Sequence, residues 1–355
     1  MRVVITGASG NVGTALLRAL PPEYDVVGVV RRPPEPQDVY QRVEWHSLDL
    51  TAPDVIADLR QVVEGADVIV HLAWGFQPTR DTAYLTTLGV GGTSAVLQAA
   101  QSSSVGQLVH MSSVGTYAPG SYGKPVDESW PTTGIQTSAY SRDKSAAEAL
   151  LDEYERQLGG DAITIARMRP GFIVQRAAAS GLMRYGLPGY VPMQAVPWLP
   201  VLPLDRNLCI PLIHADDVAD AIVRVIDQRA GGPFNLAAEP PLGRDDVAAA
   251  LGARPVHIPS RVLGALVDVS WRARLQHIDR GWLDLAFAVP LLDCARARNE
   301  LGWAPQWTAT AALADLLDGV AHQAHAGSPP LRQRSLLDLL RRDATDGLIS
   351  SRRVP

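Results

Sequence analysis

Three glycines, at positions 7, 10 and 13, follow directly on a short apolar run at the start of the chain. The run Val3-Val4-Ile5 has the composition of a buried strand, and residues 15–20 are good helix formers. Glycines between a strand and a helix let the backbone turn sharply and approach a phosphate, which the helix N-terminus then stabilises. The segment therefore predicts a strand, a phosphate-binding turn and a helix.

The residues that follow supply the context that such a turn requires. Pro21-Pro22 ends the helix, and residues 25–30 form a second apolar run typical of a buried parallel strand. Three glycines near a turn can also be ordinary turn chemistry. The strand-helix-strand order favours a dinucleotide site instead.

Apolar runs alternate with helical stretches over the first half of the chain. This alternation predicts an α/β fold with a doubly wound parallel sheet, the Rossmann arrangement. The predicted strands are residues 2–6, 25–30, 43–47, 66–72, 107–111 and 162–168, and the predicted crossover helices are residues 11–20, 53–63, 81–102 and 138–158.

The second half of the chain predicts a smaller C-terminal substrate-binding lobe. Proline-rich apolar segments after residue 177 read as a loop over a pocket, and helices are expected over residues 216–228, 244–252, 261–271 and 309–324. The expected division is a Rossmann domain over 1–176, with 205–240 returning to it, and a substrate lobe and lid over 177–204 and 241–327. Residues 328–355 form a tail with a short amphipathic helix.

Size and composition exclude several classes of protein. With 355 residues and 46% hydrophobic content, the chain can bury a large core, and its net charge of -5 offers no basic field for nucleic acid. Cys209 and Cys294 have neither disulfide nor zinc-site spacing, so no metal is expected. Because no leader or long apolar segment is visible, we expect a cytoplasmic protein with no membrane partner.

Tyr140 and Lys144 are the strongest candidates for chemistry. Their spacing of four residues places them on one face of the predicted helix, where the ammonium is expected to lower the pKa of the phenol towards neutrality. Ser113 follows a predicted strand and could hydrogen-bond a reacting oxygen. An ordinary surface pair and a strand-end cap are the alternatives for these residues.

Together, the glycine turn, Ser113 and the Tyr140/Lys144 pair resemble the extended short-chain dehydrogenase/reductase family of NAD(P)-dependent epimerases and dehydratases. The resemblance runs nearly end to end. It is corroborated by Leu48-Asp49-Leu50, His71-Leu72-Ala73, Arg169-Pro170-Gly171, His214-Ala215-Asp216-Asp217-Val218-Ala219 and Leu301-Gly302-Trp303-Ala304-Pro305.

The resemblance implies a role for each matched residue. Tyr140 would transfer a proton, Lys144 would bind the nicotinamide ribose hydroxyls, and Ser113 would orient the substrate oxygen while hydride passes to or from the nicotinamide. Helices 81–102 and 138–158 would form a homodimer interface. The implied cofactor-binding residues are Gly7, Gly10, Asn11, Val12, Gly13, Asp49, Leu50, Leu72, Ala73, Tyr140, Lys144, Pro170 and Ile173, with Asp49 accepting from the adenine amino group.

The end of the second predicted strand bears on which cofactor is bound. NAD sites usually present an acid there, whereas this chain has Arg31 and Arg32. Guanidinium groups suit a 2′-phosphate, so NADP is favoured. A solvated basic turn is the alternative, which leaves NAD open.

Departures from the family pattern narrow the reaction. Gly89 stands where the family has an asparagine that supports the active site, and Val114-Gly115 replaces the Asp-Glu pair of dehydratases, so dehydration is disfavoured. The apolar run 210–213 before His214 lacks the diphosphate-binding arginine of sugar-nucleotide epimerases, for which Arg206 is a distant substitute.

The predicted lid points to an apolar substrate. Arg184 and Arg206 leave an anionic substrate as an alternative. The lid residues are Met183, Tyr185, Tyr190, Met193 and Trp198.

The leading hypothesis is an NAD(P)-dependent oxidoreductase that interconverts a carbonyl and a secondary alcohol on a small, mainly apolar molecule. The alternatives are a sugar-nucleotide epimerase with tightly held NAD and a non-catalytic NAD(P)-sensing protein. Two further groups are expected to be structural: Asp216 and Asp217 as helix caps beside His214, and His71 and His110 as hydrogen-bonded core histidines.

Overall fold

A computed structural model describes residues 1–121, 123–186 and 193–333 of the chain. Its strands are β1 (Arg2–Thr6), β2 (Asp25–Val30), β3 (Glu44–Ser47), β4 (Val68–His71), β5 (Gln107–Met111), β6 (Pro125–Val126), β7 (Thr164–Pro170), β8 (Phe172–Val174), β9 (Val201–Leu204), β10 (Cys209–Ile210), β11 (Leu212–His214), β12 (Gly232–Leu236), β13 (Leu242–Gly243), β14 (Arg254–His257) and β15 (Leu291–Leu292).

The helices lie between these strands and in the C-terminal part of the chain. They are α1 (Asn11–Ala19), α2 (Val55–Val62), α3 (Thr82–Thr86), α4 (Gly92–Gln101), α5 (Ala139–Leu158), α6 (Ala179–Gly186), α7 (Ala215–Gln228), α8 (Arg244–Leu251), α9 (Ser260–Arg272), α10 (Arg280–Ala288), α11 (Ala295–Leu301) and α12 (Ala309–Ala321). A π-helical segment, Thr87–Gly91, joins α3 to α4.

A seven-stranded sheet with the order β12-β7-β5-β4-β1-β2-β3 forms the centre of the protein. All neighbouring strands in it are parallel. The chain leaves β1 towards β3 on one side and resumes with β4 on the other, so the strand order reverses between β1 and β4. Doubly wound folds bind ligands at the carboxyl ends of the strands at such a reversal.

Apolar helix faces cover both sides of the sheet. On one side Leu16 of α1 and Ile222 of α7 lie in a core cluster that also contains Val3 and Val70. On the other side Leu59 of α2 and Leu151 of α5 pack with Val4. The doubly wound α/β prediction is therefore confirmed.

The strand at the β12 edge was not predicted from the sequence. It carries Pro233 and Asn235, which are uncommon within strands, and it pairs only with β7 in the sheet. The six predicted strands are confirmed, with β1, β2 and β5 at their expected bounds. Helices α10 and α11 were also missed.

The segment predicted as a lid contains more regular structure than expected. Residues 177–204 include helix α6 and strand β9 rather than one irregular loop, and Met193 is buried in a core cluster with Leu313 and Leu316 of α12. Met193 therefore packs the lobe instead of lining an open cavity. Tyr190 and the amphipathic helix predicted in the tail lie outside the described residues. The side chains of Tyr185 and Trp198 are not described either.

Within the described ranges, no helix combines the length and apolar character needed to cross a membrane. Over the same residues, no group of three or more His, Cys, Asp or Glu side chains could hold a metal ion. Both cysteines are free thiols.

Candidate functional site

The glycine turn after β1 is so tightly packed that no side chain fits at Gly7 or Gly13. Gly7 has a φ of +73°, and a Cβ there would lie 2.7 Å from the backbone nitrogen of Ala73. A Cβ at Gly13 would lie 2.4 Å from the carbonyl oxygen of Ala8. The turn therefore packs against the residues that follow β4, and the start of α1 packs against the turn. The N–H groups of the first turn of α1 stand at the reversal point of the sheet, where they can hold a phosphate.

Replacing Gly7 with alanine is expected to lower the free energy of unfolding by about 2–4 kcal/mol, through the left-handed backbone and the overlap with Ala73. Gly65→Ala is a matched control, because Gly65 has a φ of +71° but nothing within 4 Å of an added Cβ. This control should lose about 1 kcal/mol. Urea unfolding measures both values, and equal losses would contradict the close packing of the turn.

Asn11 joins the start of α1 to β8, the short strand that pairs with β11 outside the central sheet. The Asn11 Nδ2 donates to the Ile173 carbonyl at 3.1 Å, and Gln175 Nε2 donates to the Asn11 carbonyl and Oδ1 at 2.7 and 2.8 Å. Pro170 ends β7 immediately before this strand. The Asn11 side chain is thus engaged in a structural contact, whereas its backbone N–H remains the candidate phosphate ligand.

Two of the residues expected at the adenine end have structural contacts. The Asp49 Oδ1 accepts hydrogen bonds from the Thr51 backbone at 2.9 Å and from the Thr51 hydroxyl at 2.7 Å, although its carboxylate is exposed. Leu50 is 6% exposed and packs in the core, and its place beside the cofactor stays a prediction. Leu72 and Ala73 follow β4 and are half-buried at the turn.

Arg31 and Arg32 directly follow β2, as expected. The Arg31 Nη1 donates to the Tyr84 hydroxyl at 3.1 Å, and its carbonyl accepts from the Ser47 hydroxyl at 2.9 Å. Arg31 is half-buried and Arg32 is exposed. Both arginines therefore follow the carboxyl end of β2, the strand that pairs with β1 before the glycine turn.

The structure brings Ser113 and Tyr140 together. Ser113 follows β5, where its hydroxyl oxygen accepts from the Gly115 N–H at 3.0 Å and also hydrogen-bonds the Tyr140 side chain. Tyr140 stands in the first turn of α5, next to Gly115, where a Cβ would lie 2.9 Å from the Tyr140 ring. Ser113 is thus a strand-end cap and a partner of the phenol at the same time.

The prediction that the Tyr140 pKa is lowered is wrong for the protein without cofactor. Burial raises the pKa of Tyr140 to about 12, and the hydrogen bond with Ser113 opposes this only in part. Lys144 is not among the groups that shift this pKa, and its Nζ donates to the Met111 carbonyl. The phenol is therefore protonated at neutral pH.

Lys144 is buried under another side chain. Its Nζ donates to the Met111 carbonyl at 2.7 Å and lies 3.5 Å from the centre of the Trp74 ring. Burial drives the pKa of the ammonium well below its usual value, against the opposing charge of Glu148. Tyr140, Ser113 and Lys144 are thus neighbours, but the lysine faces a tryptophan.

Aromatic rings that the sequence did not bring together surround Tyr140. Phe76, in the segment after β4, lies 5.2 Å from the Tyr140 ring, and Trp282 of α10 lies 5.5 Å from it. Phe76 also contacts Trp282 at 4.9 Å and Phe172 at 6.0 Å, measured between ring centres. We call Phe76, Phe172 and Trp282 the aromatic wall. No periodic signal links these residues, since they lie on three separate segments.

The two arginines considered for an anionic substrate are placed differently. Arg184 is buried and donates to the carbonyls of Pro330 and Arg332, both at 3.0 Å, so it fastens the C-terminal segment to α6. Arg206 is exposed in the turn after β9. Neither is part of the aromatic wall.

A buried polar network supports α5 from behind. Glu148, 1% exposed, forms an ion pair with Arg169, whose Nε donates to Glu148 Oε1 at 2.8 Å. The Ser112 hydroxyl donates to the same carboxylate, and Arg169 Nη1 donates to the Tyr117 hydroxyl at 3.0 Å. Because Glu148 lies one turn after Lys144 and Ser112 precedes Ser113, the network fixes the helix and the strand that carry the candidate catalytic residues.

The histidines only partly follow the expectation. His71 is hydrogen-bonded to the Thr6 hydroxyl at 2.7 Å, and burial lowers its pKa to about 3. His110 is buried as well, but neither of its ring nitrogens has a hydrogen-bond partner among the described residues.

The start of α7 differs from the expected arrangement. His214 itself caps the helix, its Nδ1 accepting from the Asp216 N–H at 3.1 Å. Asp217 instead accepts from the N–H groups of Gln306 at 2.8 Å and Trp307 at 3.2 Å. Asp216 pairs with Arg18 at 2.6 Å. The aspartates therefore link segments, and the capping prediction for them was wrong.

Comparison with known proteins agrees with this geometry. The model of the NAD dependent epimerase/dehydratase family matches residues 3–178, which include the glycine turn, Ser113, Tyr140 and Lys144. This part of the chain, residues 3–178, therefore belongs to that family. The resemblance inferred from the sequence is confirmed.

Solved structures of family enzymes share the fold. The UDP-glucuronic acid 4-epimerase of Bacillus cereus, in complex with UDP-glucuronic acid and NAD, superposes with a TM-score of 0.68 at 18% identity, covering 91% of this chain and 99% of the other. The UDP-glucose 4-epimerase of Bifidobacterium longum, in complex with NAD⁺ and UDP, gives 0.67 at 21% identity, with 90% and 98% covered.

Curated proteins with a similar sequence differ from this chain in length and carry varied names. An uncharacterized protein of Mycobacterium tuberculosis is 27% identical over 352 residues, 96% of this chain. A Stigmatella aurantiaca enzyme is named 4-hydroxy-2-methyl-3-oxo-4-farnesyl-3,4-dihydroquinoline-1-oxide ketoreductase, and it is 30% identical over 173 residues, 49% of this chain and 50% of that protein. The chain spans 33% of the length of the mycobacterial relatives that it matches first.

Within the family pattern, Gly89 has a structural explanation. A Cβ at Gly89 would lie 2.8 Å from the Cη2 and Cζ2 atoms of Trp74. The space that the family asparagine would need is therefore filled by the ring that covers Lys144.

Proposed function

We propose that this protein is an NAD(P)-dependent oxidoreductase that interconverts a carbonyl and a secondary alcohol on a small, mainly apolar molecule. The observation that carries the proposal is the hydrogen-bonded pair of Ser113 and Tyr140, with the aromatic wall packed against the phenol ring. A proton donor beside an apolar surface suits a ketone whose oxygen is polar and whose body is not.

The glycine turn fits a dinucleotide, since the close packing at Gly7 and Gly13 brings the N–H groups at the start of α1 to the point where the strand order reverses. The first turn of α1 would hold the phosphates, and Arg31 and Arg32 would hold a 2′-phosphate, which favours NADP over NAD. When bound, the cofactor supplies or accepts the hydride. The protein supplies position and the proton.

Tyr140 is suited to donate its proton to a carbonyl oxygen. With a pKa of about 12, the phenol keeps its proton through the neutral range, so the protein alone is prepared for reduction. Ser113 would hydrogen-bond the same substrate oxygen and hold it in reach of the phenol.

The aromatic wall favours a flat, apolar substrate. Rings arranged edge-to-face, such as Phe76 against Trp282 at an interplanar angle of 90°, offer apolar faces with few hydrogen-bonding groups. The name of the Stigmatella relative, a ketoreductase acting on a prenylated quinoline derivative, supports this chemistry. The sugar-nucleotide alternative is less well supported, because residues 210–213 before His214 contain no arginine for a diphosphate and Arg184 is engaged in the C-terminal contacts described above.

Activity is tested by following NADPH oxidation with a panel of aryl alkyl ketones, with UDP-glucose and UDP-glucuronic acid as the competing substrates. We expect turnover of at least one ketone and no interconversion of the sugar nucleotides. Epimerisation without added cofactor, together with NAD that copurifies with the protein, would replace this proposal with the epimerase.

Removing Arg32 should change the choice of cofactor. Arg32→Ala is expected to weaken NADP⁺ binding by about 10–100-fold, the value of one charge-assisted phosphate contact, while NAD⁺ affinity stays within about twofold. Arg60→Ala is the control, because Arg60 is an exposed arginine on α2, and this change should alter neither affinity. Calorimetry with both cofactors decides, and equal losses for NAD⁺ and NADP⁺ in Arg32→Ala would contradict a 2′-phosphate contact.

A further inference from the structure

The ammonium of Lys144 is closed off from any ligand. The residue is 2% exposed, and its Nζ lies between the Met111 carbonyl at 2.7 Å and the Trp74 ring at 3.5 Å. A ribose hydroxyl can reach this nitrogen only if one of the covering groups moves. The lysine assigned to the cofactor is therefore covered by the protein itself.

Of the two covering groups, Trp74 is the one free to leave. Met111 belongs to the central strand β5 and pairs with Met168 of β7. Trp74 lies outside helices and strands, in the segment between β4 and α3, and it is only partly buried. Its movement would break no sheet hydrogen bond, whereas moving Met111 would break the sheet.

A glycine at position 89 leaves the space that the Trp74 ring occupies over Lys144. Gly89 lies in the π-helical segment between α3 and α4, and a Cβ there would overlap the Trp74 ring edge at 2.8 Å. Gly91, in the same segment, faces only the Thr87 methyl group at 3.9 Å. The glycine at position 89 thus has a specific partner.

We propose that Trp74 is the closing group of the cofactor site: its ring covers Lys144 until the nicotinamide ribose displaces it, and Gly89 forms the notch that receives the ring. The identity of the ligand in this inference rests on the proposed function, whereas the contact of Trp74 with Lys144 does not. Because a cation over an indole face is an attractive contact, displacing the ring opposes cofactor binding. Removing the ring should tighten NADP⁺ binding by about 3–30-fold.

The chain offers an internal control for a labelling experiment, because Lys124 and Lys144 are its only lysines and Lys124 is exposed. An amine-reactive reagent such as trinitrobenzenesulfonate modifies only accessible, deprotonated amines. The low pKa of Lys144 would make it the more reactive lysine, so slow labelling there reports the cover rather than the charge.

The experiment compares four proteins: the unchanged chain, Trp74→Ala, Gly89→Ala and the matched control Gly91→Ala. Peptide mass spectrometry gives the labelling rate of each lysine without cofactor, and calorimetry gives the dissociation constant of NADP⁺. We expect Lys144 to be labelled about tenfold faster or more in Trp74→Ala and Gly89→Ala than in the other two, with Lys124 unchanged throughout. NADP⁺ should bind more tightly to the same two variants.

Two results would overturn the inference. The first is rapid labelling of Lys144 in the unchanged chain, or the same rate in all four proteins. The second is unchanged or weaker NADP⁺ binding in Trp74→Ala and Gly89→Ala despite faster labelling. If NADP⁺ and NAD⁺ bind none of the proteins, the proposed function fails together with the role in cofactor binding, and the labelling rates still decide whether Trp74 covers Lys144.

Discussion

Replacing Tyr140 with phenylalanine is expected to lower kcat for ketone reduction by about 10²–10⁴-fold, the usual contribution of a positioned proton donor. The variant keeps the ring that packs against Phe76 and Trp282 and removes only the hydroxyl that bonds Ser113. The fold and the affinity for NADP⁺ should therefore change little. Steady-state rates with NADPH and an aryl ketone, beside calorimetry, measure the two effects separately.

Ser113→Ala separates the proton donor from its partner. Ser113 caps the turn after β5 and bonds the phenol, so its loss should lower kcat less than the loss of the Tyr140 hydroxyl. Full turnover in Tyr140→Phe, or a larger loss in Ser113→Ala than in Tyr140→Phe, would contradict the assignment of Tyr140 as the acid.

Removing Glu148 is expected to lower the free energy of unfolding by about 3–5 kcal/mol, because the Arg169 guanidinium would remain buried without its counter-ion. Arg169 and Glu148 are 3% and 1% exposed, and water cannot replace the lost carboxylate. Glu148→Ala and Glu148→Gln should both show the loss, since neither side chain carries the charge. Urea unfolding followed by circular dichroism measures it.

Glu153 offers the matched control on the same helix. Its carboxylate pairs with Arg156, but both side chains are largely exposed. Glu153→Ala should therefore leave stability almost unchanged, because water and salt screen exposed ion pairs. Equal losses for Glu148→Ala and Glu153→Ala would contradict the importance of the buried network.

The local parts of this site could be predicted from the sequence, since they depend on short segments. The glycine spacing fixes the turn after β1, and the four-residue interval places Tyr140 and Lys144 on one face of α5. Ser113 could be placed because strand ends of a parallel sheet meet at one edge. The strands that line this edge were correct for the same reason, as continuous apolar runs predict buried parallel strands.

The surroundings of Tyr140 could not be predicted, because they depend on residues far apart in the chain. Phe76, Phe172 and Trp282 meet only through the fold. Gly281 of α10 lies against Thr137 and Ser138 before α5, but a single glycine does not identify this partner in the sequence. The lowered tyrosine pKa was wrong because the spacing gives a common helix face but not the direction of the Lys144 ammonium.

The buried network of Glu148 and Arg169 could not be predicted from the sequence either. Glu148 and Arg169 look like ordinary charged residues of a helix and a strand, and only their burial shows that they must pair. Gly89 was noticed as a departure, but its partner Trp74 lies fifteen positions earlier and is identified only by the contact.

The central claim is direct hydride transfer between a nicotinamide cofactor and a substrate held beside Ser113 and Tyr140. Single-turnover reaction of the protein with NADPH deuterated at C4 of the nicotinamide and an aryl ketone, analysed by mass spectrometry, tests it most directly. We predict that deuterium appears on the carbinol carbon of the alcohol, and that Tyr140→Phe forms this product far more slowly. An alcohol without deuterium from either C4 position, or equal rates in both proteins, would contradict the account.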